Sequence, residues 1–470
     1  MTFTSIEYLF FLPLVFALYH AARGRRRWQN VILLAASYVF YAWWDVRFLS
    51  LLLLSSASSY GCGLLIERLQ TKRLRRAVNI VNIVVNVGIL AAFKYWNFFI
   101  EAFHSLLGTA DPVTMFLLPV GISFYTFQAI GYTVDVYQRK SEATHDAVAF
   151  FTFMAFFPKL VSGPVERSTT LLPQLLRERR FDYATAVDGC RRALWGLFKK
   201  LIIADSCGTV VDMVWDAPGQ FSTLSLLSAC VLFSFQVYCD LSGYTDIALG
   251  TASLFGIQLS PNFKNPYFSR NIPEFWRRWH MSLMRWFRDY IYIPLGGSRR
   301  GRARMILNTL IVFLVSGLWH GADWTFICYG LYHGLLCSSY VITGWRRRFD
   351  SEPGEGCLLP SWREALMMTA TFTLVTLGRI LFRAPDMSAA GEFVGGLLHY
   401  SGGGIAGITV LPLCALLLVV EWIQRDREHV LQLGGRLWRH RAARWVLYLM
   451  MVLIIFFGRQ GTSSFIYTQF

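Results

Sequence analysis

The chain carries little charge for its length. Only 16% of its 470 residues are Asp, Glu, Lys or Arg, and its extended polar stretches are confined to 164–190, 346–362 and 425–443. None is long enough for a soluble domain of its own, which excludes a nucleic-acid-binding module built on a basic face. Nine cysteines are present, but no two make a C-x-x-C pair and most lie in apolar runs. That argues against a metal site or a disulfide framework, and for thiols that act as small buried hydrophobes. No GxSxG elbow, no HExxH and no P-loop occurs, so serine-hydrolase, zinc-protease and nucleotide-hydrolase chemistry find no support. No internal repeat is visible either, and the lack of paired, similarly broken halves speaks against a secondary transporter.

What is present is apolar. Hydrophobic residues make up 54% of the chain, gathered in runs near 20 residues, the length that spans a hydrocarbon core of roughly 30 Å. The expected fold class is an all-α polytopic membrane protein. Candidate spans are 5–22, 30–46, 48–66, 77–100, 113–137, 148–163, 193–215, 223–257, 305–320, 324–345, 363–382, 407–424 and 444–457. The first lacks a basic leader and a small-residue cleavage site, so it reads as a retained helix. The 223–257 run is too long for one straight span. Its Asp240-Leu241-Ser242-Gly243-Tyr244-Thr245-Asp246 stretch predicts a break or a tilt there.

The net charge of +16 fits a membrane protein whose cytoplasmic loops collect arginine. Arg23–Arg27, Arg68–Arg76 and Arg139-Lys140 follow the first, third and fifth spans, which places the N-terminus outside. Segment 166–200, with Arg167, Arg177, Arg179, Arg180, Arg191, Arg192, Lys199 and Lys200, then falls on the cytoplasmic side only if 148–163 is re-entrant. Its Pro158 and Gly163-Pro164 suit a segment that does not cross. Arg346–Arg348 and the group Arg425, Arg427, Arg436, Arg439 and Arg441 mark further cytoplasmic loops.

Ionisable groups at membrane depth are functional candidates, and two histidines stand beside tryptophans in or next to apolar runs, His280 and His320. Read as one helix, 274–293 puts Trp276, Trp279, Leu283, Trp286, Phe287 and Tyr290 on one face, with His280 at its edge. Arg278, Ser282, Arg285 and Asp289 share another face. One reading is an interfacial amphipathic helix. The other is a cavity wall in which Trp276, Arg278, Trp279, Ser282 and Asp289, joined by Trp319, contact substrate. Arginines 299–304 and 346–348 anchor two helices on one side, forming a hairpin with His320-Gly321-Ala322-Asp323 at its apex. His333, on the returning helix, reads as a packing residue. An imidazole is largely neutral at pH 7 and can take a proton from an attacking hydroxyl.

At these residues the chain resembles the membrane-bound O-acyltransferase family, in the bacterial branch that includes alginate O-acetyltransferases and teichoic-acid D-alanyl transfer proteins. The matching runs, in order, are 118–128, Phe156-Phe157-Pro158 through Gly163-Pro164, 240–246, 275–280, 286–290, Leu318-Trp319-His320-Gly321 and the tail Phe465-Ile466-Tyr467. The resemblance implies a single membrane-embedded acyltransferase domain over 1–470, with core motifs in 118–346. It implies a ring of transmembrane helices around a thin re-entrant core and a through-membrane tunnel. It makes His320 the family's signature histidine and His280 its second, both catalytic. It also implies acetyl-CoA as donor, an exported polysaccharide as acceptor, a periplasmic or surface acetyltransferase as partner, and residence in a bacterial inner membrane. Arg299 and Arg300 then lie where coenzyme A phosphates arrive. D-alanyl or other acyl transfer to a surface polymer is the alternative, and a transporter or scaffold the non-enzymatic one.

Overall fold

A computed structural model describes residues 1–96, 100, 118–344, 349, 351–434, 438 and 440–458. Arg346–Arg348, Arg436, Arg439, the tail motif Phe465–Tyr467 and parts of the 77–100 and 113–137 spans lie outside the described residues. Among the described residues every regular element is helical, and seven helices are long and apolar enough to cross a membrane. The protein is an all-α, multi-pass membrane protein. Its chain forms two compact units, Met1–Ala193 with Ile247–Ser260, and Leu194–Asp246 with Pro261–Phe470.

In the first unit, Val46–Arg68, Lys72–Lys94 and Ile122–Tyr137 pack through a seam of small polar side chains. Asn82 Nδ2 donates to Thr133 Oγ1 at 2.9 Å and Ser59 Oγ to Asn82 Oδ1 at 3.1 Å. Lipid offers such groups no partners, so they hold helices together by finding one another. The 148–163 run is broken into Ala147–Ala155 and Phe157–Leu160. At about 1.5 Å per residue neither piece reaches across a bilayer. Arg179 is buried rather than a loop charge, its Nε donating to Tyr19 Oη at 2.7 Å.

The second unit corrects two expectations. The 223–257 run is one continuous helix, Thr223–Leu254, with no break at 240–246. The distortion sits in the neighbouring segment instead, where Lys199–Ala204 is π-helical between Tyr183–Phe198 and Asp205–Asp216. The acidic motif stays helical because its charges are matched from that segment. Lys199 Nζ donates to Asp246 Oδ2 at 2.6 Å and to Ser242 Oγ at 2.9 Å. Lys200 pairs with Asp240 at 2.7 Å and Asp205 at 2.9 Å. Lys199 and Lys200 are therefore buried partners, not exposed cytoplasmic charges. Gly243 permits the approach, since a Cβ there would stand 2.8 Å from the Gly196 carbonyl oxygen.

The expected hairpin is present as Arg302–His320 and Trp324–Ile342, each 19 residues. Asp323 turns the apex and caps the second helix, its carboxylate accepting from Thr325 N. The two helices meet at Gly317 and Gly330, where added Cβ atoms would lie 2.3 Å from Phe326 O and 2.4 Å from Phe313 O. Small residues let helix backbones touch in a membrane. Gly317→Ala should therefore cost about 1–3 kcal/mol through overpacking. A lowered melting temperature in detergent would report it, and an unchanged one would contradict the packing described.

Candidate active site

The 274–293 segment is not one helix. It is two short helices, Ile272–Arg278 and Met281–Phe287, followed by a π-helical turn, Arg288–Tyr292. The break falls at His280, whose backbone is left-handed with φ 43° and ψ 50°. Such a conformation is costly for a residue with a Cβ and persists only where the surroundings hold it. Hence Arg278, Ser282 and Asp289 do not share the single helical face read from the sequence.

Each of the three is engaged. Glu274, itself 2% exposed, binds Arg278 Nη2 at 3.0 Å and Arg270 Nη2 at 3.0 Å. Arg278 Nη1 also reaches Glu352 at 2.9 Å, and Arg270 Nη1 reaches Glu364 at 3.1 Å. Ser282 donates its N–H and its hydroxyl to Asn262 Oδ1. Asp289 accepts from Arg288 Nε at 2.7 Å. The Arg278 network ties the helix before His280 to the 349–364 segment and needs no ligand to satisfy it.

The two histidines meet at one indole. His280 and His320 are 3% and 6% exposed. The His280 ring stands edge-on to Trp319, with centroids 6.0 Å apart, and Trp319 lies 4.7 Å from the ring of His320. Phe382 at 5.0 Å and Tyr329 at 5.9 Å complete the aromatic wall around His320. Trp279 is stacked on Phe275 at 5.4 Å and capped by the Arg379 guanidinium at 4.6 Å. Burial pushes the His280 imidazole down to about 4, because a cation removed from water loses its hydration. The ring is therefore neutral across the physiological range. Followed by NMR, the His280 ring should stay neutral as pH falls through 6.5 and titrate only towards about 4. A His280 titration centred at 6.5 would contradict this. The folded protein also binds fewer protons at this group than the unfolded chain between those values, so the His280 contribution to stability weakens as pH falls through that window.

Trp276 packs edge-on against Phe313 at 5.1 Å and His333 at 5.0 Å. It also lines a cavity of about 740 Å³ shared with Met281, Met305, Arg277, Arg285 and Arg288, within the range of small-molecule sites. Met305 and Thr309 on one hairpin helix and Tyr340 and Val341 on the other also face it, so it lies at the arginine-bearing end of the hairpin, away from the His320 apex. Its arginines are Arg277, Arg285 and Arg288, whereas Arg299 and Arg300 are exposed in the turn before the hairpin.

His333, read from the sequence as a packing residue, is fully buried, and neither ring nitrogen has a hydrogen-bond partner among the described residues. Its 4.7 Å contact with Tyr329 links Trp276 to the wall around His320. Two other features escaped the sequence reading. Arg379, an arginine inside an apolar helix, carried a readable signal, because a charge at that depth needs a reason. Asn262 carried none.

Two buried imidazoles thus meet on one indole in an all-helical membrane frame, with an arginine-lined cavity at the other end of the hairpin. Residues 39–371 match the MBOAT, membrane-bound O-acyltransferase, family. The chain belongs to that family and is an O-acyltransferase. It is 36% identical over 430 residues to the probable alginate O-acetylase of Azotobacter vinelandii, covering 89% of this chain and 83% of that protein. To the corresponding protein of Pseudomonas aeruginosa it is 37% identical over 397 residues, 83% of this chain and 73% of the relative. A peptidoglycan O-acetyltransferase of Helicobacter pylori is 29% identical over 514 residues, 98% of this chain and 95% of the relative.

Proposed function

We propose that the protein moves an acetyl group from cytoplasmic acetyl-CoA across a bacterial inner membrane for O-acetylation of an exported cell-surface polysaccharide. A periplasmic or surface acetyltransferase completes the transfer. The observation that carries this reading is the meeting of His280 and His320 on Trp319. The relatives named as alginate and peptidoglycan acetylating enzymes supply the acyl group and the class of polymer.

In this reading His320 is the general base. An acceptor hydroxyl gives its proton to the neutral imidazole as its oxygen attacks the thioester carbonyl. The new C–O bond forms, the C–S bond breaks, and the proton passes on to the departing thiolate. Aromatic side chains exclude water, which would otherwise hydrolyse the thioester. His280, also against Trp319, orients the reacting groups.

The arginine-mouthed cavity suits a donor carrying phosphates, since guanidinium groups bind phosphate oxygens bidentately. Changing Arg277, Arg285 and Arg288 together to Gln should raise KM for acetyl-CoA about tenfold or more, the loss of charge-assisted bonds worth roughly 1.5–3 kcal/mol each. Arg299 and Arg300 retain a donor role if their Gln variants raise it as well. Steady-state kinetics in vesicles decides. An unchanged KM in the triple variant, with normal insertion, removes the donor from this cavity.

A further inference from the structure

The left-handed turn at His280 dismantles a piece of helix. In an uninterrupted helix the N–H groups of Met281 and Ser282 would reach back to the carbonyls of Arg277 and Arg278. The turn takes them away and leaves these groups needing other partners in a buried place. His280 is the N-terminal boundary of the second helix, yet its side chain makes no capping hydrogen bond.

One short segment replaces what is lost. Met281 N donates to Asn262 O at 2.8 Å. Ser282 N donates to Asn262 Oδ1 at 3.1 Å, and Ser282 Oγ donates to the same atom at 2.9 Å. On the other side of the turn, Lys264 N donates to Arg278 O at 3.0 Å. Arg285 Nη2 closes the strap by donating to Pro261 O at 3.1 Å. Asn262 is 2% exposed. The strap Pro261–Lys264 thus stands in for the missing helical ladder on both sides of His280.

We propose that Asn262 is a positioning residue of the transferase, whose backbone and side-chain oxygens hold the turn that aims His280 at Trp319. The proposal rests on the reading of His280 as an active-site group. Asparagine suits the task because its amide oxygen caps a helix start as well as any side chain does. Here the cap comes from a distant segment, so it fixes the helix and the strap together. A turn free to relax would move the imidazole, and misplacement by about 1 Å costs on the order of 10²-fold in rate.

The test compares Asn262→Leu, Asn262→Asp and His280→Ala in membrane vesicles with labelled acetyl-CoA. Leucine keeps the volume and the backbone oxygen but removes the side-chain acceptor. Aspartate keeps the acceptor. Asn262→Leu should lower kcat roughly 10–10²-fold with KM for acetyl-CoA within about twofold, and Asn262→Asp should restore kcat to within about threefold of the parent. If Asn262→Leu turns over normally while His280→Ala is inactive, the positioning role is wrong and the reading of His280 stands. Full activity of His280→Ala overturns both. If Asn262→Asp is as impaired as Asn262→Leu, the acceptor is not what matters and the proposal falls. Should Asn262→Leu fail to accumulate, Asn262→Ser replaces it, since a shorter hydroxyl weakens the cap without adding apolar bulk. Normal kcat in that variant also overturns the proposal.

Discussion

The His320→Ala variant is expected to lose acyl transfer by roughly 10²–10⁴-fold, on the order of 3–5 kcal/mol of barrier, while still inserting in the membrane. The expectation follows from where the ring sits. It ends the first hairpin helix, is 6% exposed, and is walled by Trp319, Phe382 and Tyr329. His280→Ala should impair transfer as well, through loss of orientation. His333→Ala separates packing from chemistry. If His333 only fills its cage beside Trp276 and Tyr329, the variant loses stability while the kcat of the surviving protein is kept. Turnover by His320→Ala near the parent rate, at equal protein level, would make the apex a structural feature and remove the base from the account.

Glu274→Ala is expected to be the most damaging change to the fold near the site. Glu274 and Arg270 have side chains only 2% exposed, and Arg278 is 10% exposed. Deleting the carboxylate leaves two buried guanidinium groups without their central partner, which costs about 3–5 kcal/mol. The loss should show as a large drop in melting temperature in detergent and as poor accumulation. Glu274→Gln should fall between parent and alanine, since it keeps one acceptor oxygen. A Glu274→Ala variant with parental stability would mean that Glu352 and Glu364, which also bind Arg278 and Arg270, hold the network without it. Because this network anchors the helix that ends at the His280 turn, activity should decline along with stability.

The long elements were legible because a membrane imposes one rule on all of them, a run of apolar residues of sufficient length. The 305–320 and 324–345 runs became the hairpin with its apex at His320 for that reason. The Asp323 cap fixed the start of its second helix. The errors have a common cause as well. A helical wheel over 274–293 presumes that each N–H bonds four residues back. Nothing local marks His280 as the point where that stops, because the replacement partners come from Asn262 and Lys264. Of the break or tilt expected at 240–246, the break was absent for the converse reason. Acidic residues in an apolar run look like a defect until Lys199 and Lys200 are placed beside them. Counting those lysines as loop charges hid the pairing. The cavity arginines were missed because Arg277, Arg285 and Arg288 are brought together by the turn itself. Pairings across the chain, not patterns along it, decide these positions.

The most direct test of the central claim uses sealed vesicles of known orientation that contain the protein, the proposed periplasmic acetyltransferase and an acceptor polysaccharide. Labelled acetyl-CoA is supplied on the side that carries Arg299–Arg304. The account predicts that label appears on the polysaccharide in the opposite compartment, with one thioester consumed per acetyl group transferred, and that His320→Ala abolishes it. Label that reaches the polymer only when acetyl-CoA is supplied on the polymer's own side would contradict transfer across the membrane. So would passage of an acceptor or donor with the thioester left intact.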